Sequence, residues 1–285
     1  MSQAGGFGTG GSPPVTFPIT VPEGGTGLTT VVQGDLLYAP SLNTLASLPK
    51  PAIPGSILTY NGSVPSWGSL STSMFMQDDF ISGTTMGILG WVNVAGGGGS
   101  VDPGAQLSTP SHPGVWLLRV DGSFASASVQ QNTAITFGGG AMTIEWIAKN
   151  VQLSTSTNRF NIQIGTGDVF NGSPTQNGVY FFYQDNVNSG NWQLIAVNGG
   201  TATTTNTTTP GDTNFHRFTI EVNASGSSAE FFIDGVSQGT VTSNIPTTNL
   251  TSFQIQINNT GPSTSTNCDL WLDAFSAYQL FTTSR

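Results

Sequence analysis

Pairs of carboxylates are the first chemistry to test in this sequence, because two acids flanking a sugar can hydrolyse a glycosidic bond. Glu145 has only Ile147 and Lys149 on its own face of an alternating segment, and no second acid. Asp269 and Asp273 share a face by alternation, but four strand residues span about 13 Å. Glycosidases hold their two carboxyl groups roughly 5–9.5 Å apart. We therefore expect no catalytic residue and no enzyme activity. The one alternative left is a pair of carboxylates on neighbouring strands.

Two histidines and one cysteine offer little for metal binding or nucleophilic catalysis. His112 precedes a proline in a loop, and His216 lies in an alternating run without an acid or nucleophile at a defining spacing. Cys268 has no partner for an intrachain disulfide and no companion histidine motif, which favours a buried structural role. We predict no cofactor and no metal. The alternative is calcium at the oxygen-rich loop 185–188, although turn-forming residues explain that loop equally well.

Sugar binding is the sharper hypothesis, because lectin sites combine an aromatic ring with amides and carboxylates that bind hydroxyl groups. Trp192 follows Asn191, and Tyr183 stands two residues before Asp185. These four are the candidate carbohydrate-binding residues. Each ring could equally belong to the core, because half of every strand faces inward. Similar alternatives are Tyr180, and Trp91 near Asn93.

The composition limits the possible partners. Lys and Arg number 6 against 15 Asp and Glu, for a formal net charge of -9 over 285 residues. Such a chain repels phosphate backbones and anionic lipids, so we predict no nucleic-acid binding and no membrane insertion. The few cations cannot form a broad basic groove, which favours a neutral or positively decorated glycan over an acidic polymer. With 17 Phe, 6 Trp and 5 Tyr, most of the chain should fold.

From about residue 74 onward, short alternating runs separated by turn residues predict an all-β sandwich. No segment has helical spacing and caps over more than two turns. The strongest local signal is at 230–238, where EFFIDGVSQ predicts a hairpin with an Asp-Gly turn. The predicted strands lie at 114–120, 142–148, 160–164, 179–183, 192–197, 215–222, 229–234, 253–257 and 269–280.

The first quarter of the chain differs from the rest in composition. Residues 1–22 are rich in Gly, Ser, Pro and Thr, and predict a flexible arm that orders only against a partner. Residues 23–72 contain short apolar pieces between tight turns, which predicts a small β module. This module has too few apolar residues to close a core alone, so we expect it to intertwine with copies of itself. Residues 73–285 form the predicted β-sandwich knob.

Two resemblances follow from these segments. The stretch EGGTGLTT…GDLLY…LTYNG..P.W resembles a short module of tailed-bacteriophage fibres and other virion appendages. The later segments DDF at 78–80, HPGV at 112–115, EFFIDG and DLWLDAFSAYQ are similar to concanavalin A-like jelly-roll domains of phage structural proteins. The landmarks of the first module, which the resemblance assigns to attachment and oligomerisation, are Gly24, Gly25, Thr26, Gly27, Asp35, Asn61, Gly62, Pro65 and Trp67.

The resemblance implies a structural component of a bacteriophage virion. Its N-terminal part would attach to other virion proteins, and a concanavalin A-like jelly-roll knob would face the host, where it could bind surface glycans. It further implies a homotrimer located in the virion. The alternatives are a lectin-like carbohydrate-binding module and a glycan hydrolase.

Overall fold

The chain divides into two compact units, Met1–Leu70 and Ser71–Arg285. The predicted arm at 1–22 and six module landmarks (Gly24, Gly25, Thr26, Gly27, Asn61 and Gly62) lie outside the residues that the structure describes. The computed structural model describes residues 28, 31–41, 44–52, 56–60, 64–69, 73–81, 88–103, 111–122, 124–131, 135–168, 174–261 and 267–282. No helix within those ranges is long and apolar enough to cross a membrane.

The first unit contains two antiparallel hairpins. Strand β1 (Leu36–Ser41) pairs with β2 (Thr44–Leu48), and β3 (Ser56–Tyr60) pairs with β4 (Pro65–Ser69). Among its described residues no side chain is fully buried. Isolated two-stranded hairpins are marginally stable in water, so this unit depends on interactions beyond its own described strands.

One carboxylate organises the loops around the first hairpin. Asp35 accepts hydrogen bonds from the backbone N–H of Val32 at 3.1 Å, the hydroxyl of Ser47 at 2.9 Å and the backbone N–H of Lys50 at 3.1 Å. These bonds, first of all the one from Val32, hold the pKa of Asp35 below its usual value. The landmark aspartate therefore has a structural role within the unit.

The other described landmarks are also structural. Pro65 begins β4, opposite Tyr60 at the end of β3. Trp67 donates a hydrogen bond from Nε1 to the carbonyl oxygen of Pro49 at 2.6 Å. The indole thus links the second hairpin to the segment that precedes it.

The second unit consists of two large antiparallel sheets, which confirms the prediction of an all-β, jelly-roll β-sandwich. In spatial order, the eight-stranded sheet contains β17 (Val236–Val241), β16 (Ala229–Ile233), β15 (Phe215–Val222), β10 (Gly140–Asn150), β19 (Cys268–Phe281), β8 (Trp116–Val120) and β7 (Gly99–Asp102), and β5 (Ser73–Asp78) also pairs with β19. The seven-stranded sheet contains β14 (Thr201–Pro210), β13 (Asn191–Asn198), β12 (Gly178–Tyr183), β11 (Phe160–Gly167), β18 (Ser252–Asn259), β9 (Ser126–Gln130) and β6 (Val92–Gly96).

The core lies between these sheets and follows from strand alternation. In β10 every second residue is buried, so Met142, Ile144, Trp146 and Ala148 face inward. Aromatic rings fill much of the interior: Trp91, Trp146 and Phe275 lie 4.6–5.4 Å apart by ring centroid. Such tilted and edge-on contacts add to the stabilisation from apolar burial.

A buried carboxylate lies at the end of β5, the first strand of the second unit. Asp78 is 1% exposed and accepts three hydrogen bonds, from the backbone N–H of Phe80 and of Leu89 and from Nε1 of Trp91, at 2.9, 3.1 and 2.9 Å. Phe80 has a φ of 53°, a left-handed conformation that is unfavourable for a bulky residue. Its ring nevertheless lies 4.8 Å from Trp116 in the core. The bonds from Asp78 therefore compensate local backbone strain.

Gly114 allows another close approach at the same corner. A Cβ atom at this position would lie 2.2 Å from the carbonyl oxygen of Asp79 and 2.6 Å from the backbone nitrogen of Ile81. The glycine of the HPGV segment is thus required by the backbone that passes beside it.

The predicted Asp-Gly hairpin is confirmed. Strands β16 and β17 pair around Asp234 and Gly235, whose φ values of 51° and 79° are those of a type I′ turn. The turn also brings Asp234 back to β15, where its Oδ1 accepts the backbone N–H of Arg217 at 2.9 Å.

The same turn places His216 between two carboxylates, an arrangement that the sequence did not predict. Its Nδ1 lies 2.6 Å from Asp234 Oδ2, and its Nε2 lies 2.9 Å from Asp212 Oδ1. Because both ring nitrogens face carboxylate oxygens, the ring is an imidazolium. Burial alone would lower the pKa of His216, but the hydrogen bonds to Asp234 and Asp212 outweigh it and raise the pKa.

Replacing Asp78 by Asn should lower the free energy of unfolding by about 2–3 kcal/mol, because one oxygen that accepts N–H groups becomes an amide donor. Urea unfolding followed by tryptophan fluorescence measures the change. Asp79→Asn is the matched control at the neighbouring position, with an expected change within about 0.5 kcal/mol. Equal effects at both positions would contradict the role given to Asp78.

The charged His216 ring should make stability depend on pH. A group whose pKa is raised by folding stabilises fully below its unfolded pKa of about 6.5, and the contribution disappears as the pH rises through the folded value. The urea midpoint should therefore be highest below about pH 6.5 and should fall as the pH rises above that value. His216→Gln should remove most of this decrease, and Asp234→Asn should leave part of it. The same decrease in all three proteins would rule out this origin.

Candidate functional site

The outer face of the seven-stranded sheet carries a block of uncharged amides, which we call the amide face. The strand order β11–β18–β9 brings them together, since Gln163 pairs with Gln256, and Gln254 pairs with Gln130. Alternation places the apolar residues between them, such as Ile255, in the core. The amide face consists of Gln130, Asn161, Gln163, Gln254, Gln256 and Asn258.

Part of the amide face is internally hydrogen bonded. Asn258 Nδ2 donates to Asn161 Oδ1 at 3.0 Å, and Thr175 Oγ1 donates to Gln163 Oε1 at 2.9 Å. These bonds fix the orientation of the amides on β11 and β18, and they leave other polar atoms of the same groups directed elsewhere.

Other atoms of the amide face are buried without a partner. Gln256 is 0% exposed, and neither its Oε1 nor its Nε2 has a hydrogen-bond partner within the described part of the chain. The same holds for Asn258 Oδ1 and Gln130 Oε1. An unpaired buried polar group costs about 1–3 kcal/mol, so a cluster of them calls for a ligand or ordered water.

An aromatic and aliphatic wall lies beside the amides. Tyr180 on β12 and Ile195 and Val197 on β13 form a small apolar cluster on this outer face, against which Phe182 packs. A cavity of about 340 Å³ lies between this wall and residues Asn161, Gln163 and Asn258. Burial raises the pKa of Tyr180 to about 12. Its hydroxyl is therefore neutral at physiological pH and can donate a hydrogen bond.

The two aromatic rings that were predicted from the sequence to stack on a sugar lie in the core instead. Trp192 and Tyr183 are each 2% exposed, and their ring centroids are 5.4 Å apart. Neither can stack on a sugar in this structure, which corrects the expectation for both. The alternative Trp91 is also buried. Alternation allowed either face for these residues, and the pairing of β12 and β13 turned Tyr180 and Phe182 outward.

The two polar candidates next to those rings have structural partners. Asp185 pairs with Arg159 through contacts of 3.1 and 3.2 Å and accepts a bond from the Ser154 hydroxyl at 2.7 Å. Burial alone would raise the pKa of Asp185, but these bonds hold it below its usual value. Asn191 Nδ2 donates to the carbonyl oxygen of Asn188 at 2.9 Å.

The loop considered for calcium is held by the protein itself. Asn188 Nδ2 donates to the carbonyl oxygens of Trp192 and Thr207, both at 2.9 Å. Its amide is thus directed at the backbone. Across the described ranges, no group of three or more His, Cys, Asp or Glu side chains is arranged to hold a metal ion.

Two of the three acids considered for catalysis face an arginine. Arg119 binds Asp269 through two hydrogen bonds of 2.7 and 2.8 Å, and Arg217 lies 3.5 Å from Glu145. A bulge between Ile147 and Ala148 of β10 interrupts the register with β19 at Asp273. The alternation is therefore broken at Asp273, which has no partner on β10 in this register.

Asp273 instead pairs with His112, whose Nδ1 lies 2.7 Å from its Oδ2. No pattern in the sequence signals this contact between residues far apart in the chain. Cys268 is buried as expected, and burial raises the pKa of its thiol. A thiol held neutral in this way is a poor nucleophile.

Comparison with one solved structure shows a shared fold, and two further structures match with lower scores. The crystal structure of a protein of unknown function, SO2946 from Shewanella oneidensis MR-1, is 14% identical with a TM-score of 0.57 over 75% of this chain and 90% of that one. The carbohydrate-recognition domain of Emp47p has a TM-score of 0.49 at 11% identity, over 74% of this chain and 96% of that one. A β-1,3-glucanase from Mycobacterium marinum has a TM-score of 0.47 at 13% identity, over 71% and 97%.

No curated protein sequence matches the chain. A family model does match, over residues 111–273, which is more than half of the 285 residues. That segment contains most of the sandwich, including the three strands of the amide face. The chain belongs to the family described as SO2946-like, C-terminal domain.

Proposed function

We propose that the sandwich binds neutral glycans through the amide face and its aromatic wall. The observation that supports this most directly is the cavity lined by Gln163, Tyr180 and Phe182, because Gln163 is the strand partner of Gln256, whose buried amide is unpartnered in the described chain. Amides both donate and accept hydrogen bonds, as sugar hydroxyls do. The absence of charged side chains among the amides fits an uncharged ligand.

The wall supplies the apolar complement that a pyranose ring needs. Tyr180 and Phe182 are outward residues of β12, and Ile195 lies opposite Tyr180 on β13. A sugar in the cavity could rest an apolar face against this wall while its hydroxyl groups reach Gln163 and Asn161. The proposal is binding without turnover, because the acids considered for hydrolysis lie on the other sheet in contact with cations.

We further propose that this sandwich is displayed by a virion appendage and that the chain is a homotrimer attached through its N-terminal part. The resemblance of residues 23–67 to phage fibre modules supports the location. The first unit supports the assembly, because none of its described side chains is fully buried and it exposes several large apolar residues. These are Val32, Leu37, Leu45, Leu58 and Tyr60.

Replacing Gln256 by Leu separates binding from stability. The change removes an unpaired buried amide, so the free energy of unfolding should rise by about 1–3 kcal/mol. Affinity for the neutral probes laminaripentaose, cellopentaose and chitopentaose, measured by calorimetry, should fall about tenfold for whichever probe binds.

Gln163→Leu is the matched control on the paired strand position. It removes the bond from Thr175, so stability and binding should both decrease. A Gln256→Leu protein that is less stable, or that binds as the unchanged chain does, would contradict the proposal.

Tyr60 and Leu58 test the assembly, because they share one exposed face of β3. The full chain should sediment at three times its 29.6 kDa mass. The double change Leu58→Asp and Tyr60→Asp should shift it to monomer, because charges cannot be buried at an apolar interface. Val236→Asp, at an exposed apolar position of the sandwich, should stay trimeric. A monomeric unchanged chain would exclude the trimer.

A further inference from the structure

A second pocket lies on the outer face of the eight-stranded sheet, opposite the amide face. It lies on a tile of four residues on β10 and β15, in which Lys149 pairs with Phe215 and Ile147 pairs with Arg217. Ile147, Phe215 and Arg217 line the pocket, and Lys149 completes the tile beside it. The two cations therefore occupy diagonal corners, about 7–8 Å apart by backbone position. The two apolar residues occupy the other corners.

Aromatic groups close one side of this tile. The ring of His112 stacks on Phe215 at 3.8 Å between centroids with an interplanar angle of 16°. Lys149 Nζ lies 5.5 Å from the Phe215 centroid and 4.9 Å from that of Trp271. These contacts hold the ammonium group close to the aromatic surface. A cavity of about 330 Å³ lies against His112, Phe215 and Arg217.

The carboxylates around the cavity are already engaged. Asp212 and Asp234 hold His216, and Asp273 holds His112. The fourth, Glu145, lies 3.5 Å from Arg217. Four carboxylates so close to the cavity argue against a long polyanion as its ligand.

Arg217 and Lys149, in contrast, have N–H donors that are available to a ligand. The Arg217 side chain is 57% exposed, and its contact with Glu145 is too long for a strong hydrogen bond. Lys149 has ring contacts, and no carboxylate of the described chain lies within ion-pair distance of it. Arg119 and Arg159 are each committed to an aspartate through two hydrogen bonds. Among the described residues of the second unit, the cationic donors left for an anion are thus those of Arg217 and Lys149, both on the tile.

Arg217 is also held in place through its backbone. Its N–H donates to Asp234 Oδ1 at 2.9 Å, and its carbonyl oxygen accepts the N–H of Asp234 at 2.9 Å. Preorganisation of this kind reduces the entropy lost on binding.

We propose that this tile binds a single sugar unit that carries a carboxylate, as in a uronic acid. The carboxylate would lie between Arg217 and Lys149, where a guanidinium can bind it through two hydrogen bonds. The apolar face of the pyranose would rest on Ile147, beside the stacked rings of His112 and Phe215. This site is independent of the amide face and differs from it in ligand class.

Calorimetry of the full chain with three probes tests the assignment. D-glucuronate carries the carboxylate and the ring, D-glucose carries the ring alone, and inorganic phosphate carries charge alone. Glucuronate should bind about tenfold more tightly than either of the others. Equal binding of glucose would exclude the role of the carboxylate. Equal binding of phosphate would reduce the tile to a site for anions without sugar.

Variants then locate the binding. Arg217→Gln and Lys149→Gln should each weaken glucuronate binding about tenfold. Lys50→Gln removes the same charge in the first unit and should leave affinity within about twofold of the unchanged chain. Thermal melting of each variant checks that it is folded. Undiminished binding by folded Arg217→Gln protein would overturn the proposal.

Failure here is distinguishable from failure at the amide face. Gln256→Leu should leave glucuronate binding unchanged, and Arg217→Gln should leave binding of the neutral pentasaccharides unchanged. Loss of both activities in either variant would mean that the two sites are not separate, and would overturn the assignment of the tile.

Discussion

The carboxylate of Asp78 is the interaction on which the sandwich depends. It sits at the end of the first strand of the second unit and joins three segments, through N–H groups of Phe80, Leu89 and Trp91. Buried charges are tolerated only where such donors surround them. The rings of Phe80 and Trp91 then reach the aromatic core around Trp146, so one polar residue sets the position of the largest apolar side chains.

Both proposed sites use the outward residues of strands whose inward residues build this core. The amide face occurs on the sheet where Ile162 and Ile255 point inward, and the charged tile occurs where Trp146 and Phe218 do. Rigid sheets can hold such groups without the ordering cost that a loop would pay. The amide face carries an energetic penalty at Gln256, whereas three of the acids around the tile are paired with the two histidines.

Most of the fold was readable from the sequence, because alternation and turn residues are local signals. The Asp-Gly turn at 234–235 and the long run near the end of the chain were both predicted as strands or turns. The candidate site was not readable from the sequence. Alternation shows that a strand has two faces, but it does not show which of the two faces points inward. Trp192 was therefore misassigned. The pairing of His112 with Asp273 depended on a bulge and on distant strands, for which a single sequence carries no signal.

Strand β19 lies near the middle of the eight-stranded sheet, between β10 on one side and β8 and β5 on the other. It pairs with strands that are synthesised long before it. For example, Tyr278 of β19 lies opposite Phe75 of β5. During translation, the edges of β5 and β8 that pair with β19 therefore stay unpaired until β19 has been synthesised. Contacts between residues so far apart in sequence slow folding and leave strand edges exposed to wrong partners. The eight-stranded sheet can therefore close only when β19 is available to join β10 to β8 and β5.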